Sequence, residues 1–438
     1  MTTSGAIFRF WFPLATTWMM MAAEGPIVAA VIARMPDATL NLAAFGVASA
    51  FSSLIEAPIL MLLAAATALA KDEASYRSLR RFAFGLNAML TALMFVVIAP
   101  PVFWHVSRRW LELPEEVGEL AYGAVVCLLP WPGSIGYRRF HQGLLVRANM
   151  TRWVAYGTIC RLVGILGTAL LLPRLIAIPG AFVGGAALSM GVLVEAVVAG
   201  QLAKRAIRDL HARASVEGPG DPIPLGEIVR FYLPLATTSI LPMAVQPMLT
   251  FFMGHSRLPI ASLAVFPVVS NFVFVFRCTG VSFQEVTIAL LARHPDNIGP
   301  LVRFARRLGF VTSGLLVATC STGLSRLWFG TVTGLPDALT DLAVSTTLVL
   351  MILPAFTVAQ ALQRGRLVAR GLTAPISWAT MVEVTVISSV MTVGIVGLGA
   401  IGAHAAAAAV LSGQLAANTF LMLLVRRYPE RPRTLVAA

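Results

Sequence analysis

Seven ionisable side chains interrupt long apolar stretches of this chain: Glu24, Glu56, Arg161, Glu195, Arg277, Glu285 and Glu383. Holding a charge in such a setting costs roughly 2.5–3.5 kcal/mol per residue, so these groups are expected to face a polar cavity or a partner. A carboxylate there can exchange a proton or hold a cation. A guanidinium offers a planar fork of donors to an anion. Both chemistries are binding chemistries. Catalysis lacks its parts, because the apolar stretches hold no nucleophile with an adjacent base. Cys127, Cys160, Cys278 and Cys320 sit singly in apolar runs without a CxxC pair, and the six histidines show no HExxH spacing. No metal, cofactor or enzymatic role is therefore expected. The chain also lacks GxxxxGK[ST], so it is not expected to hydrolyse ATP.

The elements that carry these charges are membrane helices. Hydrophobic residues make up 58% of the 438 and charged residues 12%, about half the charge of a soluble domain. Apolar runs long enough to cross a core of about 30 Å recur throughout, and in lipid such runs must be helical. Spans are expected at 10–33, 42–69, 82–104, 118–137, 153–173, 180–202, 231–253, 261–292, 308–329, 340–362, 375–397 and 401–425. The stretch after Arg9 is too long for a signal peptide and contains Glu24.

The net charge of +13 suggests nucleic acid until the basic residues are placed. With the N-terminus in the cytoplasm, 25 of the 33 fall at the inner ends of spans, six outside and two (Arg161 and Arg277) within spans. The positive-inside rule requires this bias. The charge thus orients helices, both termini are expected in the cytoplasm, and no nucleic-acid partner is needed.

The chain is duplicated. FRFWFPLATT from Phe8 returns as VRFYLPLATT from Val229, at an offset of 221. LAAFGVASAF from Leu42 falls on LAVFPVVSNF from Leu263 at the same offset. RRFAF from Arg80 matches RRLGF from Arg306, a five-residue shift. Later the offset is 222, where QGLLVRANMT from Gln142 meets RGRLVARGLT from Arg364. The fold class expected is an all-α membrane protein of 12 transmembrane helices in two parallel six-helix repeats. The expected lobes are 1–205 and 229–438, joined by a polar cytoplasmic tether at 206–228. Pro26 and Pro247 occupy matching places in the first helix of each half and are expected to kink it, as hinges.

The repeat sorts the buried charges. Glu56 is equivalent to Arg277, and Arg161 to Glu383, each pair with opposite sign. The expectation is that both pairs complement each other across the lobe interface, as substrate, proton or switchable salt-bridge sites. The other readings are a permanent pair, or pairing within one lobe. Glu24, beside Pro26, is the candidate proton or cation coupling site; its plainer role is a partner for Arg161 or Arg277. Gln246 and Asn271 are candidate hydrogen-bonding residues or simple packing contacts. Glu195 is the candidate partner for Arg161 within the lobe.

The FxxPL opening of each half, PLATTWMM, LAAFGVASAFSSLIEAP and FYLPLATTSILPMAVQP resemble the multidrug/oligosaccharidyl-lipid/polysaccharide (MOP) flippase superfamily. The closing GLGAIGAHAAAAAVLSG adds to this, and within the superfamily the chain is most similar to the progressive ankylosis protein family. The resemblance implies a MATE-like fold with two six-helix lobes around a cavity, alternating access, and export of small polyanions such as citrate, nucleotide or pyrophosphate. A departure stands at Ala244, Val245 and Gln246, where that family tends to place polar or basic residues. The expected function is a secondary active transporter in the bacterial inner membrane, acting as a monomer. It would export a small organic or phosphate-type anion with proton or cation coupling. Two alternatives stand beside it: a drug/cation antiporter, which needs the acids, and a lipid-linked oligosaccharide flippase, which needs a basic cavity. A receptor or scaffold is disfavoured by the lack of long inner loops.

Overall fold

The computed structural model describes residues 4–148, 150, 152–293, 298–370, 372 and 374–427. Their regular secondary structure is helical, apart from an isolated bridge between Arg257 and Ile401. In chain order the first helices are α1 (Ser4–Ala22), α2 (Glu24–Ile32), α3 (Ala38–Glu56), α4 (Leu62–Leu69), α5 (Glu73–Ile98) and α6 (Pro100–His105). Then come α7 (Glu115–Cys127), α8 (Trp131–Arg147), α9 (Arg152–Leu175), α10 (Gly180–Glu217), α11 (Leu225–Gly254) and α12 (Pro259–Arg293). The last are α13 (Ile298–Ser321), α14 (Leu324–Leu327), α15 (Asp337–Val349), α16 (Leu353–Ala369), α17 (Ala374–Thr392) and α18 (Gly402–Arg427). Among the described residues, nine helical stretches are long and apolar enough to cross a membrane, and two further bent pairs raise this to eleven. The span expected at 231–253 falls on α11, whose apolar part is Ser239–Gly254.

The duplication is visible in the breaks. α7 and α8 are separated by a turn after Cys127, and α15 and α16 by a turn after Val349, 222 residues later. A π-turn at Val106–Trp110 recurs at Trp328–Thr333. Other breaks are not shared. The α1–α2 helix is interrupted at Ala23, whereas α11 runs unbroken through the equivalent Ala244. A tight 3-10 turn, Ala57–Met61, divides α3 from α4, whereas α12 is continuous.

The chain folds into two compact units: Met1–Pro26 with His255–Ala438 (the C unit), and Ile27–Gly254 (the N unit). This differs from the chain-order lobes expected at 1–205 and 229–438, because the first helix of each half packs in the unit made by the other half. In the C unit, Ile7, Trp11 and Ala15 of α1 are buried with Phe283, Leu301, Phe304 and Leu308 of α12 and α13. Trp11 Nε1 donates to the Thr279 carbonyl at 3.0 Å. In the N unit, Tyr232 of α11 donates to the Pro58 carbonyl, and Ser239 Oγ to that of Ala57 at 2.8 Å. Trp11 with Thr279 and Tyr232 with Pro58 are the same contact in the two repeats, since both members shift by 221 residues. In lipid, packing and interhelical hydrogen bonds of this kind hold helices together, because apolar burial gains little from lipid tails.

The expected tether at 206–228 is also largely structured. α10 continues to Glu217 and α11 begins at Leu225. The turn between them is tied into the N unit, where Ala74 N donates to the Pro219 carbonyl at 2.8 Å. Helix propensity explains the extension: 201–217 is rich in Ala, Leu, Lys and Arg and holds no Gly or Pro.

Candidate functional site

Each unit buries a polar cluster at the same place in the repeat. In the N unit, α8 presents Trp131, Arg138 and Gln142 at spacings of seven and four, which places them on one helix face. That face meets Glu56 at the end of α3, Arg161 of α9 and Glu195 of α10. Arg138 Nη1 donates to Glu195 Oε2 at 2.6 Å, and Gln142 Nε2 to Glu195 Oε1 at 3.0 Å. Arg161 Nη1 lies 3.6 Å from Glu195 Oε2, and its guanidinium stands 5.7 Å from the centre of the Trp131 ring. Trp131 Nε1 in turn donates to Glu56 Oε2. Glu195 is 0% exposed and Arg138 4%. Buried ion pairs persist only with good geometry and added hydrogen bonds, and Glu195 has both. Asn41 holds the frame: its Oδ1 accepts from Ala181 N at 2.8 Å, joining the start of α3 to that of α10.

In the C unit, the α16 face carries Leu353, Thr357, Gln360 and Arg364 and meets Arg277 of α12, Glu383 of α17 and Gln414 of α18. Gln360 Nε2 donates to Glu383 Oε2 at 3.2 Å and Gln414 Nε2 to Glu383 Oε1 at 3.2 Å. Arg364 Nη2 lies 3.7 Å from Glu383 Oε2. Arg277 Nε donates to Thr357 Oγ1 at 2.9 Å. No carboxylate lies within ion-pair distance of Arg277 among the described residues, although Glu383 is close enough to act on it electrostatically. The contacts are longer than in the N unit and made largely by neutral amides. Arg277 and Glu383 are only partly buried.

Within the N unit Glu56 is held by Trp131 and Arg161 lies beside Glu195; within the C unit Arg277 is held by Thr357 and Glu383 by Gln360 and Gln414. Opposite sign at equivalent positions is met by compensation within each unit: where α8 has Arg138, α16 has Gln360, and where α8 has Gln142, α16 has Arg364. Glu195 pairs with Arg161, as the within-lobe reading had it. Sequence reasoning missed Trp131, Arg138, Gln142, Gln360, Arg364 and Gln414. Arg138, Arg139 and Arg364 fall among the basic residues at the inner ends of spans, where topology alone accounts for an arginine. The missed signal was the 222-residue register, which sets Arg138 over Gln360 and Gln142 over Arg364, polar in both halves.

Glu24 and Asn271 both belong to the C unit. Glu24 opens α2 directly after the break at Ala23, where its charge favours the N-terminal end of the helix dipole. It is 6% exposed. Gly25 lies against Asn271 of α12, and a Cβ at position 25 would stand 2.7 Å from Asn271 Oδ1. Pro26 is the third residue of α2, in the first turn, where a missing N–H is tolerated. It coincides with the point where the chain passes from the C unit to the N unit. Pro247 sits inside unbroken α11, so the two expected hinges differ. Gln246, also in α11, belongs to the N unit and is exposed. Trp18 of α1 donates to Glu285 of α12.

No family model matches the chain, and neither does any curated protein. Solved structures do match. One is an inward-facing multidrug resistance MATE family transporter of the MOP superfamily, at 15% identity and a TM-score of 0.74, covering 94% of each chain. Another is the lipid II flippase MurJ in an inward closed conformation, at 14% identity and a TM-score of 0.72, covering 95% of this chain and 88% of that one. A third is a MOP superfamily transporter from Pyrococcus furiosus, reported with reverse polarity of its binding pocket. It matches at 11% identity and a TM-score of 0.58, covering 97% of this chain and 95% of that one. This chain is a multi-pass, all-helical membrane protein with the fold of the MOP superfamily.

Proposed function

We propose that this protein is a secondary transporter that exports a small organic or phosphate-type anion across a bacterial inner membrane by alternating access. Arg277 makes the anion contact and Glu24 carries the coupling proton. The observation behind this reading is Arg277 itself. It is a partly buried guanidinium on a membrane helix, held by one hydroxyl and facing no carboxylate ion-pair partner among the described residues. Such a group retains donors for an anionic substrate. The cluster around it holds two guanidiniums, Arg277 and Arg364, against the single carboxylate Glu383. Proteins of this fold include multidrug and lipid II transporters, so the fold suits movement of a solute and leaves its charge open. The reverse polarity reported for the Pyrococcus pocket is a precedent for a change of sign within this fold. Glu24 starts α2 directly after the helix break at Ala23 and precedes Gly25, which lies against Asn271; gain or loss of a proton there would act on that break.

Proteoliposome uptake distinguishes the readings. Di- and tricarboxylates, pyrophosphate and organic cations are offered with and without an inward pH gradient. Uptake of an anion class that is lost in Arg277→Gln and no longer pH-driven in Glu24→Gln supports the proposal. Cation exchange that needs Glu24 and Glu383 and survives Arg277→Gln overturns it in favour of a drug/cation antiporter.

A further inference from the structure

The N unit carries a second polar feature, nearer the ends of α8 and α10 than the cluster around Glu195 and sharing none of its residues. A cleft of about 610 Å³ opens where α4, α8 and α10 end, lined by Lys71, Arg147, Arg213, Asp209, Leu144 and Leu210 among others. Three cations face one carboxylate. Arg147 is partly committed, since Nη1 donates to the Thr67 carbonyl at 2.9 Å and so caps α4. The Lys71 and Arg213 side chains make no hydrogen bond or ion pair among the described residues, and both are exposed.

Position selects the ligand class. α10 is 38 residues long, about 57 Å at 1.5 Å per residue, whereas about 20 residues cross the hydrocarbon. The cleft therefore lies where α10 leaves the apolar layer, at the end where the basic residues collect. Its lining combines cations with Leu144 and Leu210, a match to a phosphate beside the start of acyl chains. Arg147 is not repeated: it corresponds to Ala369 at offset 222.

We infer that this cleft binds the phosphate headgroup of an anionic phospholipid of the cytoplasmic leaflet. Basic pockets between helices on that side attract such headgroups, through electrostatic attraction to each cation near the surface. The inference rests on the membrane placement of the helices and is independent of what is transported.

The test uses the full-length protein in mild detergent, with lipid binding followed by native mass spectrometry. Phosphatidylglycerol, phosphatidylethanolamine and inorganic pyrophosphate are titrated separately. Phosphatidylglycerol is expected to bind, and the double variant Lys71→Gln, Arg213→Gln to bind it about thirtyfold more weakly. Lys204→Gln with Arg208→Gln removes the same charge from exposed positions on α10 outside the cleft lining. That variant is expected to stay within about threefold of the parent, as screened surface charges should. Equal weakening in both variants overturns the inference, because it reports surface charge alone. Equal binding of phosphatidylethanolamine overturns it too, as does binding of pyrophosphate without phosphatidylglycerol.

Discussion

The two buried polar clusters occupy one position of a duplicated architecture and have become different things. In the N unit, Glu195 is enclosed and held by Arg138, Arg161 and Gln142, with contacts down to 2.6 Å. In the C unit, Glu383 is held by two amides at 3.2 Å and one guanidinium at 3.7 Å, and Arg277 keeps most of its donors uncommitted. Charge that is fully satisfied fixes a structure; charge that is loosely satisfied can be spent on a ligand. On this reading the N unit contributes the rigid frame and the C unit the site.

The largest expected effect breaks the comparison at its rigid end. Glu195→Ala leaves Arg138 and Arg161 buried around a missing carboxylate, and removing one partner of a buried pair costs about 3–5 kcal/mol. Thermal unfolding in detergent should show a large fall in midpoint or loss of folded protein. Glu383→Ala removes longer, partly solvated contacts and should cost about 1.5–3 kcal/mol, the range for a hydrogen-bonded charge, with a folded protein that transports poorly. Equal destabilisation by the two would erase the distinction between frame and site.

Smaller effects test how the units are built. Tyr232→Phe removes one interhelical hydrogen bond, at about 1 kcal/mol. Trp11→Phe removes the equivalent bond together with part of a buried ring and should cost more; no loss of stability in either variant would argue against a reciprocal exchange of first helices. Gly25→Ala pushes a methyl group against Asn271 and should lower transport several-fold, with recovery in the double variant carrying Asn271→Ser. Without recovery, the contact between residues 25 and 271 is not what limits transport.

Much of this molecule could be read from the chain before folding was considered. The spans follow from apolar length, and the duplication from matched Pro, Arg and Thr, so the breaks after Cys127 and Val349 fell in register. The exchange of first helices was not legible. Sequence order assigns Trp11 to the first half, and only the packing of its ring on Phe304 places it with the second. The pairing of charges was half legible. Glu56, Arg161, Arg277 and Glu383 stand out because they interrupt apolar runs. Arg138 and Arg364 lie near basic span ends, where topology already accounts for an arginine, and so were not suspected of being buried. Partner choice depends on which helix faces meet, and equivalence by sequence offset does not supply that.

The most direct test of the division into frame and site is substrate uptake by proteoliposomes carrying Arg277→Gln, alongside the thermal midpoint of the same protein. The expected result is a midpoint close to that of the parent with anion uptake reduced at least tenfold, about 1.4 kcal/mol of binding. Undiminished uptake by a folded Arg277→Gln protein would contradict the assignment of the site to the C unit.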